Sequence, residues 1–470
     1  MSLGLPSITI AFKSTSITAI TRSQRGIVAM IIKETALAVA GKRVVNVSKQ
    51  LVAGDTISFN GITFAATTDK TDATNFAIAA NLATTATNIA AALNDNSTIS
   101  ALYTAAANSG DITVTEKIAG NGNTPPVFSV TGTGTLTQES ITTSYSFASP
   151  ITVYTTTDVP DALSADNQEQ IELCLKGYQT PPKKILVYVI ETAEENYNAA
   201  LLLLENARWD YLVIPGIVTA DVDTIATWIK TMRSTKDKMV KAVLPHSKAD
   251  SEGIVNFTNT TITTASKTYT TAQYCSRIAG LIAGTPMTIS CTFASLSEVV
   301  SCDIYTKEEM DTKIAAGEFF IMYDGTKYKV ARGVNSFVTT IESKGGSFKK
   351  VKLIDAMDMI HDDIKTTAND SYIGKYSNSY DHKCLLISAI QGYFDQLELD
   401  GILDRKKNSV AIDTEQQRVY LLSNGDFTQA ELAAMKDQTV NEANTRDQVF
   451  LAASIKILDA IEDIKLGISI

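Results

Sequence analysis

The sequence predicts an α+β multidomain protein. Its parts are a mostly parallel α/β central domain, a β-rich module inserted near the start of that domain, an α+β C-terminal region, and a short amphipathic strand on a linker at each end. Three observations carry this. From Ile151 onward, β-branched runs alternate with helical stretches, the pattern of a parallel sheet covered on both faces. Between about residues 42 and 148 the composition shifts to Thr, Ala, Asn and Gly, and short alternating runs replace that rhythm. Both termini alternate apolar and polar residues, with Ile8, Ile10 and Phe12 on one face at the start and Ile464, Leu466, Ile468 and Ile470 on one face at the end.

In chain order, the strand at residues 7–12 is followed by a polar Ser/Thr stretch over 13–23, so it hangs on a tether ahead of the apolar run 26–32. In the module, residues 55–66 form two alternating runs around Asn60-Gly61, a hairpin signal. Phe76, Ala79, Leu82, Ala83, Ala86, Ile89 and Leu93 share one helical face, residues 111–116 read as a strand, and the Gly-rich segment 120–137 holds loops and weak strands. Strands are then expected at 151–154, 184–190, 211–215 and 239–244, with helices near 167–176, 193–207 and 222–236, and right-handed crossovers between them.

Residues 274–300, YCSRIAGLIAGTPMTISCTFASLSEVV, begin as a helix with Ile278, Leu281 and Ile282 on one side and the small residues Ala279, Gly280 and Ala283 on another, which lets a second element approach closely. Gly284 reads as a left-handed stop and Pro286 forbids continuation. Residues 287–296 read as a Thr-rich strand. Further on, Leu353, Met357, Ile360 and Ile364 mark one helix face, and Cys384, Leu385, Ile387, Ile390, Phe394 and Leu397 a second. Residues 410–412 and 418–422 suggest a hairpin, and Val449, Leu451, Ala453, Ile455 and Ile457 alternate as a strand.

A chain of 470 residues with a formal charge of −10 has room for two to four domains and lacks the basic face a dedicated DNA binder needs. No apolar run reaches the eighteen residues of a membrane span, and the first residues do not read as a signal peptide. Five scattered cysteines without a CxxC pair point to free thiols. His361 with Asp362 and Asp363 superficially resembles a metal cluster. Consecutive residues leave a helix on different faces, however, so a solvated helix face is expected there. Gly374-Lys375-Tyr376 lacks the hydroxyl of a phosphate-binding loop, and Gly132-Thr133-Gly134 has Thr137 where a dinucleotide loop needs glycine. No cofactor is therefore expected, and any work the protein does must come from stored conformational energy.

Three blocks then share an order and spacing: residues 274–300, residues 317–340 closing on Gly333-Val334-Asn335-Ser336, and residues 348–375 with Asp358-Met359-Ile360 and Tyr372-Ile373-Gly374-Lys375. Together with the termini they resemble the contractile tail sheaths of phages and R-type bacteriocins. The resemblance implies a subtilisin-like topology for the central domain, which makes a protease the natural rival. Subtilisins carry the nucleophile in a Gly-Thr-Ser-Met sequence, whereas Gly284-Thr285-Pro286-Met287 has no hydroxyl at that place. No enzymatic activity is expected. The alternative from another class is an α/β hydrolase-type enzyme with a surface- or carbohydrate-binding insertion.

The domain division that follows is an N-terminal arm at 1–20, a sheath core of 21–41 plus 149–345, the inserted β-sandwich-like domain at 42–148, a C-terminal α+β domain at 346–455 and a C-terminal arm at 456–470. The resemblance further implies stacked hexameric rings of this chain around an inner tail tube, with baseplate and tail terminator proteins as partners, and no direct nucleic-acid contact or membrane insertion. Its location would be a virion tail or tail-like particle assembled in the host bacterial cytoplasm. The arms would be donated to neighbouring copies through Ile8, Ile10, Phe12, Ile464, Leu466, Ile468 and Ile470. The basic residues Arg405, Lys406, Lys407, Lys349 and Lys350 are candidates to face the tube, and Lys230, Arg233, Lys236 and Lys238 form another basic cluster.

Overall fold

The computed structural model describes residues 19–147 and 149–469, a mixed α+β chain with several sheets and twelve α-helices among the described residues. It divides into two compact units. One comprises residues up to Ala29, Leu173–Lys184 and those from Arg208 onward; the other comprises Met30–Glu172 and Ile185–Ala207.

The second unit holds the inserted module. One of its sheets has the strand order Thr135–Thr142, Lys42–Lys49, Asp111–Glu116, Tyr103–Asn108; the other runs Asn75–Ala77, Ile62–Thr67, Thr56–Phe59, Ser129–Thr131. Asn60 and Gly61 both take positive φ, as a two-residue hairpin turn requires, and set the register Phe59↔Ile62. The helix starts later than its apolar pattern suggests, at Leu82–Asp95, because Asn81 caps it by accepting from the Thr84 amide at 2.8 Å. Phe76 lies upstream in a strand, and with Val45, Val47, Phe59, Phe64, Ile89, Leu93, Ile112 and Val114 it fills the module's own core. In the same unit Ile151–Val153 pairs antiparallel with Lys184–Glu191.

In the first unit, Tyr211–Val213, Lys241–Pro245, Ile254–Phe257 and Glu318–Phe319 lie side by side in parallel register. These strands are almost fully buried, which explains why they read as continuous apolar runs. The helix Thr271–Ala283 opens on a capping box between Thr270 and Gln273. Gly280 allows close approach, since a Cβ there would stand 1.9 Å from the Cys174 carbonyl oxygen.

Four local expectations are corrected. Gly284 has φ −89°, so it is not a left-handed stop; glycine is needed because a Cβ would lie 2.0 Å from the Thr180 carbonyl oxygen. Residues 287–296 form turns with one isolated bridge, Ser295↔Lys329, because Pro286 and the left-handed Phe293 (φ 58°) prevent a continuous strand. The expected hairpin after Ile412 is instead a helix, Thr414–Ser423, capped by Asp413 accepting from the Gln416 amide. Its strand Ser409–Ile412 pairs with Leu451–Ser454, and that run is shorter than its alternation suggests, with Ile457 forming only an isolated bridge to Leu403.

The motifs that carried the resemblance act as stitches. The Ser336 hydroxyl donates to the Ser251 carbonyl at 2.9 Å, and the Asn335 amide donates to the Phe348 carbonyl at 2.8 Å. Gly317 (φ +72°) and Gly333 leave no room for a Cβ beside Asn335 and Cys291. The helix Val351–Ser371 then packs Ala356, Met359 and Ile360 against Ile390, Tyr393, Phe394 and Leu397 of the helix Tyr380–Leu399.

Candidate functional site

The candidate site consists of two stretches in the first unit, residues 20–25 and 456–463, each beside one of the segments expected to be an arm. At the C-terminal root, the Leu458 amide donates to the Ile402 carbonyl at 2.9 Å and the Asp404 amide to the Lys456 carbonyl at 2.8 Å. Lys352, itself buried, donates to the Leu458 carbonyl, and Lys350 pairs with Asp459 and, at 3.1 Å, with Glu462. Arg332 bridges Glu462 at 3.1 Å and Asp463 at 2.7 Å, while the hydroxyls of Thr292 and Ser290 donate to Glu462 at 2.6 and 3.1 Å. Burial would push the Glu462 carboxyl up, but hydrogen bonds from Thr292 and Lys350 outweigh it and hold the group below its ordinary value.

One residue past this clamp the chain becomes largely exposed. Ile464, Leu466 and Ile468 are 82, 79 and 77% exposed and belong to no strand, although their alternation is that of a strand with one apolar face. Ile470 lies outside the described residues, as do Ile8, Ile10 and Phe12.

The N-terminal root is also fastened. Ile20 packs on the core formed by the two long C-terminal helices, and the Thr21 amide donates to Thr367 Oγ1 at 3.2 Å. Arg22 pairs with Asp400, and Ser23 donates through its amide (2.9 Å) and hydroxyl to Asp363, which also accepts from Tyr393 at 2.7 Å. Arg25 reaches Asp210 at 2.8 Å and Asp362 at 3.0 Å. Thus Asp362 and Asp363 are not a solvated face: Asp363 is fully buried and both anchor the incoming chain. The tether expected over residues 13–23 is likewise held from Thr21 onward. The composition of this stretch gave no sign of that, because its partners lie more than three hundred residues away.

Among the basic candidates, Lys350 is engaged with the C-terminal root, and Lys349 ends a short 3-10 turn, half-buried. Arg405, Lys406 and Lys407 are exposed on a loop where Lys407 pairs with Asp404 at 2.9 Å and the Lys406 amide donates to Glu398. Arg233 is turned inward, bidentate on Asp358. His246 Nε2 lies 3.1 Å from Thr271 Oγ1; in the tetrapeptide 284–287 Pro286 offers no hydroxyl, and the Thr285 hydroxyl donates to the Leu281 carbonyl at 2.7 Å. Among the described residues no cluster of His, Cys, Asp or Glu is arranged to hold a metal ion, and no helix is long and apolar enough to cross a membrane.

Residues 191–336 match the family model of the phage tail sheath protein central domain, and residues 343–470 match that of the phage tail sheath C-terminal domain. The tail sheath protein of Clostridium phage phiCD119 is 37% identical over 316 residues, 66% of this chain and 87% of its own length. The helical sheath of the anti-feeding prophage in its contracted state has a similar fold, with TM-score 0.51 and 11% identity over 100% of this chain and 99% of that one. A sheath tail protein from Desulfitobacterium hafniense gives TM-score 0.50 at 17% identity, covering 87% of this chain and 94% of its own. All three are sheath proteins, so the hydrolase alternative gains no support from them.

Proposed function

Because the chain belongs to the phage tail sheath family, we propose that this structural subunit polymerises as stacked hexameric rings around an inner tube. Contraction from a metastable extended lattice then drives that tube through the target envelope. Adding identical subunits head to tail gives a contact that propagates rather than closes, and an extended lattice held above a contracted one by a barrier stores the work. The central domain takes a subtilisin-like topology in this reading and moves as a rigid body, with the domain limits set out above and residues 42–148 decorating the outside. Partners are the baseplate, the terminator and the tube, faced by residues among Arg405, Lys406, Lys407, Lys349 and Lys350. Assembly takes place in the host cytoplasm.

The observation that carries this reading is the exposed alternating segment beyond Asp463. A strand of its length forms about four to six ladder bonds, each contributing roughly 0.5–1.5 kcal/mol net. A suitable acceptor is the sheet of Ser409–Ile412 and Leu451–Ser454, which has only two strands among the described residues, fewer than an independently stable sheet needs. Ile8, Ile10 and Phe12 would be donated in the same manner. Deleting residues 1–12 or 464–470 should leave a soluble folded monomer that forms no tubes by electron microscopy; polymerisation of either truncated protein would refute strand donation.

A further inference from the structure

Residues 20–25 and 456–463 are fastened to the same pair of long helices, and to opposite ends of one of them. Along Val351–Ser371, the Thr21 amide donates to Thr367 Oγ1 at 3.2 Å and the Ser23 amide to Asp363 at 2.9 Å, while Arg25 donates to the Asp358 carbonyl at 2.8 Å and to Asp362 at 3.0 Å. Two residues of extended chain advance about 6.6 Å, close to the 5.4 Å of one helical turn, so alternate residues meet successive turns, antiparallel to the helix. Of the residues in between, Ile20 packs on the core that both long helices share, and Arg22 pairs with Asp400, the C-cap of Tyr380–Leu399. At the other end of Val351–Ser371, its N-cap Lys350 pairs with Asp459 and Glu462, and Lys352 in its first turn donates to the Leu458 carbonyl. The Leu458 amide in turn donates to the Ile402 carbonyl at 2.9 Å, just beyond Asp400.

Lys352 and Thr367 stand about 22 Å apart along the helix axis at 1.5 Å per residue. A pull on residues 20–25 therefore loads several hydrogen bonds and ion pairs side by side and enters the helix pair. It reaches residues 456–463 by two short routes, along Val351–Ser371 and through the turn at 400–402. Residues 26–349 join the two stretches along the chain, yet they lie outside both routes and carry little load while these hold. The helix resists stretching because its turns are hydrogen-bonded to one another, and Ala356, Met359 and Ile360, packed on Ile390, Phe394 and Leu397, oppose bending. The anchors themselves are costly to break, since Asp363 is fully buried and Glu462 nearly so, and each would be left without its partners.

We propose that the helix pair is a tie rod: tension entering at residues 20–25 leaves at residues 456–463 through Val351–Ser371 and the turn at 400–402, bypassing residues 26–349. Its use in a lattice rests on the sheath reading, in which other copies hold the arms. The test pulls single unassembled chains, so its failure is distinct from a failure to form tubes. The full chain is held by handles at its two ends under constant force, and the lifetime before the first rupture is measured. Ser23→Pro removes both donors to Asp363, and Arg332→Ala removes a partner of Glu462 and Asp463. Combined, they weaken both attachments, and the lifetime is expected to fall about 5-fold, the scale of one lost hydrogen bond. Should Ser23→Pro impair folding, Thr367→Val in its place takes away the acceptor of the Thr21 amide with little change of shape, and a fall of about 3-fold is expected. Phe59→Ala, in the core of the inserted module, should lower the melting temperature and leave the lifetime unchanged. A lifetime that does not respond when both attachments are weakened, or that Phe59→Ala shortens as much, overturns the tie rod.

Discussion

Arg233 donates through both terminal nitrogens to the two carboxylate oxygens of Asp358, each at 2.9 Å, and the buried Lys241 ammonium donates to the same carboxylate at 2.7 Å. Two cations and one anion, all in the first unit, tie the helix Val351–Ser371 to the parallel sheet and to the helix Thr219–Ser234. Removing Asp358 leaves Lys241 only Asp355, at 3.1 Å, and Arg233 only Glu252, at 3.7 Å, among these anions, so Asp358→Ala should lower unfolding stability by about 3 kcal/mol in urea titration. Burial alone would push the Asp358 carboxyl up, yet Lys241 and Arg233 hold it below its ordinary 3.8. Its contribution is therefore present above that value and is lost as pH falls through the folded-state value. A variant as stable as the wild type would show the network to be energetically idle.

His361 titrates with the opposite sign. Its Nδ1 lies 3.0 Å from Asp362 and its Nε2 2.9 Å from Asp237, and these contacts, the Asp362 hydrogen bond first, raise it above 6.5 despite opposing burial. The stabilisation is complete below about 6.5 and disappears as pH rises through the folded value. Melting temperatures measured from pH 6 to 8.5 should fall more steeply for the wild type than for His361→Gln; parallel curves would contradict this.

Gly280 faces the Cys174 carbonyl with no space for a methyl group. Gly280→Ala favours an isolated helix, yet overpacking costs about 1–3 kcal/mol or more where backbone cannot retreat. A fall in the melting temperature is expected, and a rise would mean that the helix can shift away.

This glycine also marks how far the sequence could be read. Small residues on one side of residues 274–283 announced a close neighbour, and Asn60-Gly61 and the buried strands were equally plain, because each signal is local. The failures have one physical cause. Residues 287–296 carry β-branched residues, but their conformation is decided by Pro286 and by what surrounds Phe293. Thr414–Ser423 contains Val419, Tyr420 and Leu422, which read as a strand until Asp413 is recognised as a cap. The charged anchors were the least legible: Asp363 and Arg233 carry the composition of a solvated helix, and only partners 340 and 125 residues away remove them from water. The arms' alternation was visible, whereas the ionic roots that fasten them were not.

The C-terminal root gives a prediction independent of assembly. Arg332 holds both Glu462 and Asp463, and the former is nearly buried. Arg332→Ala should change global stability little, about 1 kcal/mol or less for a partly exposed pair. It should nevertheless speed tryptic cleavage after Lys456 by loosening the segment that Glu462 anchors. Equal cleavage rates in variant and wild type would mean that Lys350 and Lys352 suffice to hold the root.

The arm itself can be tested by its period. If residues 464–470 add to a neighbour's sheet as a strand, successive side chains face opposite sides, and only Ile464, Leu466, Ile468 and Ile470 meet the neighbour's core. Leu466→Asp then places a carboxylate on that buried face and should abolish tubes, whereas Lys465→Asp, one position away, leaves the apolar face intact and should preserve them. Both variants make the segment more acidic, so a purely electrostatic tether would respond to Lys465→Asp at least as strongly. A helical arm would instead place 464 and 468 together and 466 on the far side, making Leu466→Asp the tolerated change. Tube counts by negative-stain microscopy at matched concentrations separate the three cases, and sensitivity at 465 with tolerance at 466 would rule out the strand.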